Sequence, residues 1–168
     1  MDYRISQTKK QKFLAKVKSF KNEIINDEGN HEIPDFWQEC QNNKTIDTIL
    51  NLKEEGKKDL YGLCSPSKEG SITFEYGIGV LLDENKLPTN LNELLENGFS
   101  IWDVNEGTYV VFECIGNDGD CISETWSKFY KEFLPQTGYV VKDDTDYEIY
   151  FEKGKEDVFC ELWIPIQK

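Results

Sequence analysis

Apolar and polar positions alternate along much of this chain, and twice the alternation gives way to a helical spacing. In residues 12–20, Phe13, Ala15 and Val17 fall on one side with Lys16 and Lys18 between them, which predicts a strand with a solvated face. A polar loop with Asp27, Gly29 and Asn30 follows. Pro34 and the acidic Asp35 suit the first turn of a helix, whose apolar stripe is Phe36, Trp37 and Cys40. Ile46, Ile49 and Leu50 resume that stripe beyond Gln41-Asn42-Asn43-Lys44, as one broken helix or as two, and Gly56 ends the region. Residues 60–64 and 72–82 read as partner strands, with Ser65-Pro66-Ser67-Lys68-Glu69-Gly70 as the turn. The polar residues from Asp83 to Lys86 open a connection. Residues 91–96 then form a short helix, begun at Asn90 and closed by Gly98.

The second half runs through the same order. Residues 107–115 are strand-like through Tyr109, Val110, Val111 and Phe112, and a loop at 116–119 leads to Asp120 as a helix cap. Ile122, Trp126, Phe129, Tyr130 and Phe133 make a wide helical apolar face that stops at Pro135 and Gly138. Residues 147–151 and 158–166 form a hairpin around Lys153-Gly154-Lys155. The Ile33/Trp37 spacing returns as Ile122/Trp126, and Phe74-Glu75-Tyr76-Gly77-Ile78-Gly79-Val80 returns in outline as Cys160-Glu161-Leu162-Trp163-Ile164-Pro165-Ile166. This predicts an α+β fold of tandem strand-helix-strand-strand repeats in a pseudo-twofold antiparallel sheet, with a central cleft and helices on the opposite face. Residues 1–168 are expected to be one domain, with half-repeats at about 12–82 and 107–166 in which Glu75 matches Glu161.

Composition narrows what such a domain can do. With 38% hydrophobic and 13% aromatic residues but one methionine, the core and any pocket are built largely from rings. The net charge of −13 is uneven: Arg4, Lys9, Lys10, Lys12, Lys16, Lys18 and Lys21 precede residue 22 with Asp2 as the one acid, leaving 12 basic against 31 acidic residues in the remainder. So acidic a body repels phosphate backbones, which argues against nucleic-acid binding. The five cysteines, Cys40, Cys64, Cys114, Cys121 and Cys160, contain no CxxC pair, which disfavours a disulfide scaffold or a zinc site and fits reduced thiols in the cytoplasm. No signal peptide or membrane-spanning apolar run is present in the sequence.

Candidate chemistry concentrates in the last hairpin. Alternation groups Tyr147, Ile149 and Phe151 on one face and leaves Glu148 and Tyr150 on the other; on the partner strand it groups Cys160, Leu162, Ile164 and Ile166 and leaves Phe159, Glu161, Trp163 and Pro165. Setting both purely apolar faces against the helix puts Glu148 and Glu161 in one cleft with Tyr150, Phe159 and Trp163. Rings there offer stacking and cation–π attraction, and a carboxylate with no fixed basic partner loses free energy that a bound cation restores. Glu75 is expected on the same cleft, beside Gly77 and Gly79, which leave room. Other chemistries lack support. His31 is the only histidine and reads as a loop residue, and no GxGxxG or GxxxxGK[ST] phosphate loop occurs. Asp118, Asp120 and Glu124 match no calcium loop, and no cysteine has a histidine near it in sequence.

Through Ile33-Pro34-Asp35-Phe36-Trp37, Gly107-Thr108-Tyr109-Val110-Val111-Phe112, Tyr147-Glu148-Ile149-Tyr150 and Glu161-Leu162-Trp163-Ile164-Pro165-Ile166, nearly the whole chain resembles the gyrase-inhibitor-like (GyrI-like) small-molecule-binding domain. That domain is also the effector-binding half of bacterial AraC-type and MerR-type multidrug-responsive regulators. The resemblance implies a cleft for lipophilic, often cationic compounds, with Glu148 as the pocket glutamate and Glu161 and Trp163 as a second glutamate–aromatic pair. Trp37, Tyr61, Tyr76 and Tyr109 carry over as further lining residues. No helix-turn-helix pattern precedes the first strand, so direct promoter binding is not expected. A free-standing drug or toxin sensor or sequestering protein is, with no cofactor or metal. Two alternatives follow from the same resemblance: a hydrolase of strained cyclopropanoid electrophiles with Glu148 as general base, and an inhibitor that docks on a partner protein.

Overall fold

The computed structural model describes residues 1–21, 32–52, 58–66 and 72–168. The expected loop at Asp27, Gly29 and Asn30, the single His31, Gly56 and the turn residues Ser67 to Gly70 lie outside the described residues. The chain runs β1 (Arg4–Thr8), β2 (Gln11–Lys21), α1 (Glu32–Asn42), α2 (Thr45–Asn51), β3 (Leu60–Cys64), β4 (Thr73–Leu81), α3 (Leu91–Glu96), β5 (Phe99–Val104) and β6 (Gly107–Ile115). It continues through α4 (Asp120–Lys128), a π-helical stretch (Phe129–Phe133), α5 (Leu134–Thr137), β7 (Val140–Val141), β8 (Asp146–Tyr150) and β9 (Val158–Gln167). The broken helix is two, divided where Lys44 takes a left-handed φ of 63°. Gly98 closes α3 at φ 87°, a conformation glycine adopts without steric cost.

The nine strands among the described residues belong to one sheet, in the order β1-β6-β9-β8-β3-β4-β2-β5, with β7 paired to the end of β9. The fold is α+β, and its tandem halves share one internal strand order: β2-β4-β3 in the first and β6-β9-β8 in the second. They meet at an antiparallel β3·β8 seam, where Gly62 lies opposite Glu148. Each half also lends an edge strand to the other, since β1 pairs with β6 and β5 with β2. Only Lys9-Lys10 and Asn105-Glu106 link these exchanged strands to their successors. Links that short reach about 10 Å, so the sheet curls until its ends approach.

Curling gives the sheet a closed inner face and an outer face covered by helices. Inside, Phe13, Tyr61, Leu63, Val104, Tyr109, Tyr147 and Ile149 are buried against one another. Tyr109 donates its hydroxyl hydrogen to the Thr145 carbonyl at 2.8 Å, and Trp102 Nε1 donates to Thr145 Oγ1 at 3.2 Å. Outside, one helical layer packs Phe36, Cys40, Ile49 and Leu94 onto Leu14, Phe20, Tyr76, Ile78 and Val80. The other packs Cys121, Phe129 and Phe133 onto Val110, Phe112, Cys160, Leu162 and Ile164. The seam runs between these two layers.

Candidate functional site

The register of the last hairpin corrects the expected faces. Glu148 lies opposite Leu162, and Ile149 lies opposite Glu161. Residues paired across an antiparallel ladder point to the same side, so Glu148 and Tyr150 share the helix-covered face with Leu162, while Glu161 and Trp163 share the inner face with Tyr147 and Ile149. The two glutamates are on opposite sides of the sheet. Alternation holds from Cys160 to Ile166 but not at Phe159, which packs with Tyr150 on the helix-covered side next to the register shift at Cys114/Ile115. The offset between the strands also differs from the expected one, and an offset of one residue exchanges every face.

At the seam, Glu148 is only 8% exposed and no Lys or Arg pairs with it among the described residues. Its partners are neutral. Tyr76 from β4 donates to Oε1 at 3.0 Å, and Tyr150, two residues along β8, donates to the same oxygen at 3.2 Å. Trp37 from α1 completes the group: its Nε1 donates to the Tyr76 hydroxyl at 3.0 Å, and its ring meets Tyr150 edge-on at 4.9 Å between centroids. Phe159 stands against the other side of Tyr150, with ring centroids 5.5 Å apart. Burial pushes the Glu148 carboxyl up to about 7, against the opposing pull of the two hydroxyls. Burial and the Glu148 charge in turn raise the Tyr76 and Tyr150 hydroxyls, which therefore remain donors.

Gly62 makes this arrangement possible. A Cβ at that position would come within 2.1 Å of the Tyr76 hydroxyl and 3.1 Å of Glu148 Oε1. Only a bare backbone lets a tyrosine from β4 reach across β3 to a carboxylate on β8.

The inner-face pair is satisfied differently. Arg4 from the exchanged strand β1 grips Glu161 with two hydrogen bonds of 2.8 and 2.9 Å. Its guanidinium also lies 5.6 Å from the Trp163 ring centroid, and Trp163 Nε1 donates to Glu161 at 3.2 Å. Glu113 lies directly opposite Glu161 on β6, a like-charge pair that Arg4 and Lys155 offset, with Lys155 3.3 Å from Glu113. Trp163 stacks on Tyr147 at 5.6 Å, which ties it to the inner core.

Of the residues singled out from the sequence, the structure therefore brings together Glu148, Tyr150, Phe159, Trp37 and Tyr76. Glu161, Trp163, Tyr61 and Tyr109 are on the inner face with their own partners. Glu75 is exposed and belongs to neither group. Sequence reasoning missed Gly62 and Arg4 as members of these two groups. Two open cavities lie elsewhere. One of about 370 Å³ between β1, β6 and α4 is lined by Asp2, Arg4, Glu113, Glu124 and Lys128 among others, and one of about 190 Å³ by Phe151, Lys155, Phe159 and Glu161 among others. Each contains charges of both signs. The buried carboxylate without a basic partner among the described residues is at the seam, where Trp37 hydrogen-bonds the Tyr76 hydroxyl beside it.

Comparison with known proteins agrees with this architecture. The family model for integron-associated effector binding protein (Cass2) matches residues 5–166. A DNA gyrase inhibitor of Erwinia billingiae (strain Eb661) is 34% identical over 64 residues, which is 37% of this chain and 41% of the relative. The chain aligns with less than half the length of the curated relatives it matches. Among solved structures, SAV2435 bound to tetraphenylphosphonium superposes with a TM-score of 0.75 at 20% identity, over 99% of this chain and 94% of that one. An integron cassette protein of Vibrio cholerae gives 0.64 at 19% identity, over 98% and 95%. At such identities the structural likeness shows the fold.

Proposed function

This chain belongs to the integron-associated effector binding protein family, and we propose that its effectors are lipophilic, cationic or aromatic small molecules bound at the seam around Glu148. The observation that carries this reading is a carboxylate nine-tenths buried, held by two neutral hydroxyls and facing no basic side chain among the described residues. Burying an uncompensated charge costs free energy, which a cation of matching size recovers. Trp37 and Tyr150 supply the ring faces that attract a soft cation, and Phe159 extends the apolar wall. That SAV2435 was solved with tetraphenylphosphonium supports the ligand class.

Binding requires the Trp37 indole to leave the Tyr76 hydroxyl, which is its hydrogen-bond partner in the closed site. The cation then meets the carboxylate while Tyr76 and Tyr150 keep it oriented through Oε1. The biological outcome is drug or toxin sensing or sequestration. Isothermal calorimetry with tetraphenylphosphonium and neutral triphenylphosphine oxide tests the site. Wild type is expected to favour the cation, and Glu148→Gln to lose that preference while keeping affinity for the neutral compound. Equal binding of both compounds by the wild-type protein would overturn the reading.

A further inference from the structure

Glu148 is not the only acid on the seam. Asp146 precedes it by two residues on β8, so both side chains leave the strand on the helix-covered face, about 7 Å apart along it. Their ladder partners are Cys64 and Gly62, both on β3, so neither acid is shielded by a bulky polar neighbour across the seam. No Lys or Arg among the described residues pairs with either, whereas Asp144, just upstream, lies 3.9 Å from Lys142. Both hydrogen bonds that Glu148 accepts from tyrosines fall on Oε1, and no donor among the described residues reaches Oε2.

The two acids also have different aromatic surroundings. Glu148 is ringed by Trp37, Tyr76 and Tyr150. Asp146 lies within electrostatic reach of Tyr130, whose half-exposed ring stacks on Trp126 at 5.9 Å along the opposite helical wall. Burial and the neighbouring Glu148 charge hold the Asp146 carboxyl well above the usual range. Holding both acids ionised this close on one strand costs free energy, and a ligand carrying a single positive group offsets that cost at only one of them.

We propose that Asp146 is a second anchor of the seam site, and that its preferred effectors carry two positive groups about 7 Å apart, as in an aromatic bis-ammonium or bis-amidine compound. The inference rests on the reading that Glu148 binds cations. A dication meets both carboxylates at once, with its aromatic spacer between the Trp37 and Trp126 walls.

Two probes separate this inference from the reading beneath it: benzyltrimethylammonium, with one charge, and p-xylylene-bis(trimethylammonium), with two. Calorimetry on the wild-type protein is expected to show the dication binding about tenfold or more tightly, the scale of one added charge-assisted contact. Asp146→Asn is expected to bring the dication to within about twofold of the monocation while leaving the monocation unchanged; a single charge needs only Glu148. Melting curves of the variant establish that it is folded. Monocation binding with no dication preference, or an Asp146→Asn variant that weakens both probes equally, overturns this inference and leaves the Glu148 reading standing. Failure of the folded wild-type protein to bind either probe overturns both.

Discussion

Lowering the pH should weaken cation binding by an amount set by a single carboxyl. Glu148 is 8% exposed, and burial raises its carboxyl to about 7 even though Tyr76 and Tyr150 donate hydrogen bonds to it. A cation binds the ionised form, whose population falls from about nine-tenths at pH 8 to about one-tenth at pH 6, so affinity drops about tenfold, or about 1.4 kcal/mol. Calorimetry with tetraphenylphosphonium in buffers of different ionisation enthalpy reads both affinity and protons: close to one proton is released on binding near pH 6 and almost none near pH 8. Glu148→Gln is expected to bind about 1.5–3 kcal/mol more weakly at pH 8 and to lose most of the pH dependence. Stability carries the matching signature. The folded carboxyl holds its proton to higher pH than the unfolded one, whose ordinary value is 4.5, so the native state binds more protons between about 4.5 and 7. Stability therefore declines as pH rises through that window, by up to about 3 kcal/mol, and levels off above it. A wild-type affinity equal at pH 6 and pH 8, or a Gln variant with the same profile as wild type, would refute the assignment of this charge to the site.

Three further outcomes follow from the other contacts. Trp163→Ala should lower stability by about 2–4 kcal/mol, because the indole stacks on Tyr147 and holds Glu161, yet leave tetraphenylphosphonium affinity unchanged once corrected for folded fraction; a loss of affinity at equal stability would put Trp163 in the site. Gly62→Ala should cost about 1–3 kcal/mol of stability and weaken the ligand too, since the new methyl displaces the Tyr76 hydroxyl from Glu148; an unchanged melting curve and affinity would count against the close approach. Arg4→Ala should destabilise the protein by about 1–3 kcal/mol by leaving Glu161 opposite Glu113 without its guanidinium, and Glu161→Gln in the same chain should restore part of the loss; additive losses in urea unfolding would contradict the pairing.

Period-two and helical patterning by themselves determined the internal strands, the two helical layers and their repeated order, because burial of one face imposes a spacing that survives in the linear sequence. The same patterning selected Glu148 with the rings of Tyr150 and Phe159, while Trp37 and Tyr76 came from the family resemblance. The edge strands β1 and β5 were not predicted. Arg4-Ile5-Ser6-Gln7-Thr8 has no apolar run of its own and becomes a strand because β6 offers an unpaired edge. Whether Glu148 and Glu161 share a pocket was likewise beyond local pattern. Alternation assigns faces within a strand, but only the β8·β9 register relates one strand's faces to the other's. Tertiary structure made the two acids unlike. The exchanged strand β1 carries Arg4 across the fold to neutralise Glu161, while at the seam Gly62 admits Tyr76 to Glu148 and no base arrives from the described residues. One glutamate thereby became part of the scaffold, and the other kept a buried charge for a ligand to meet.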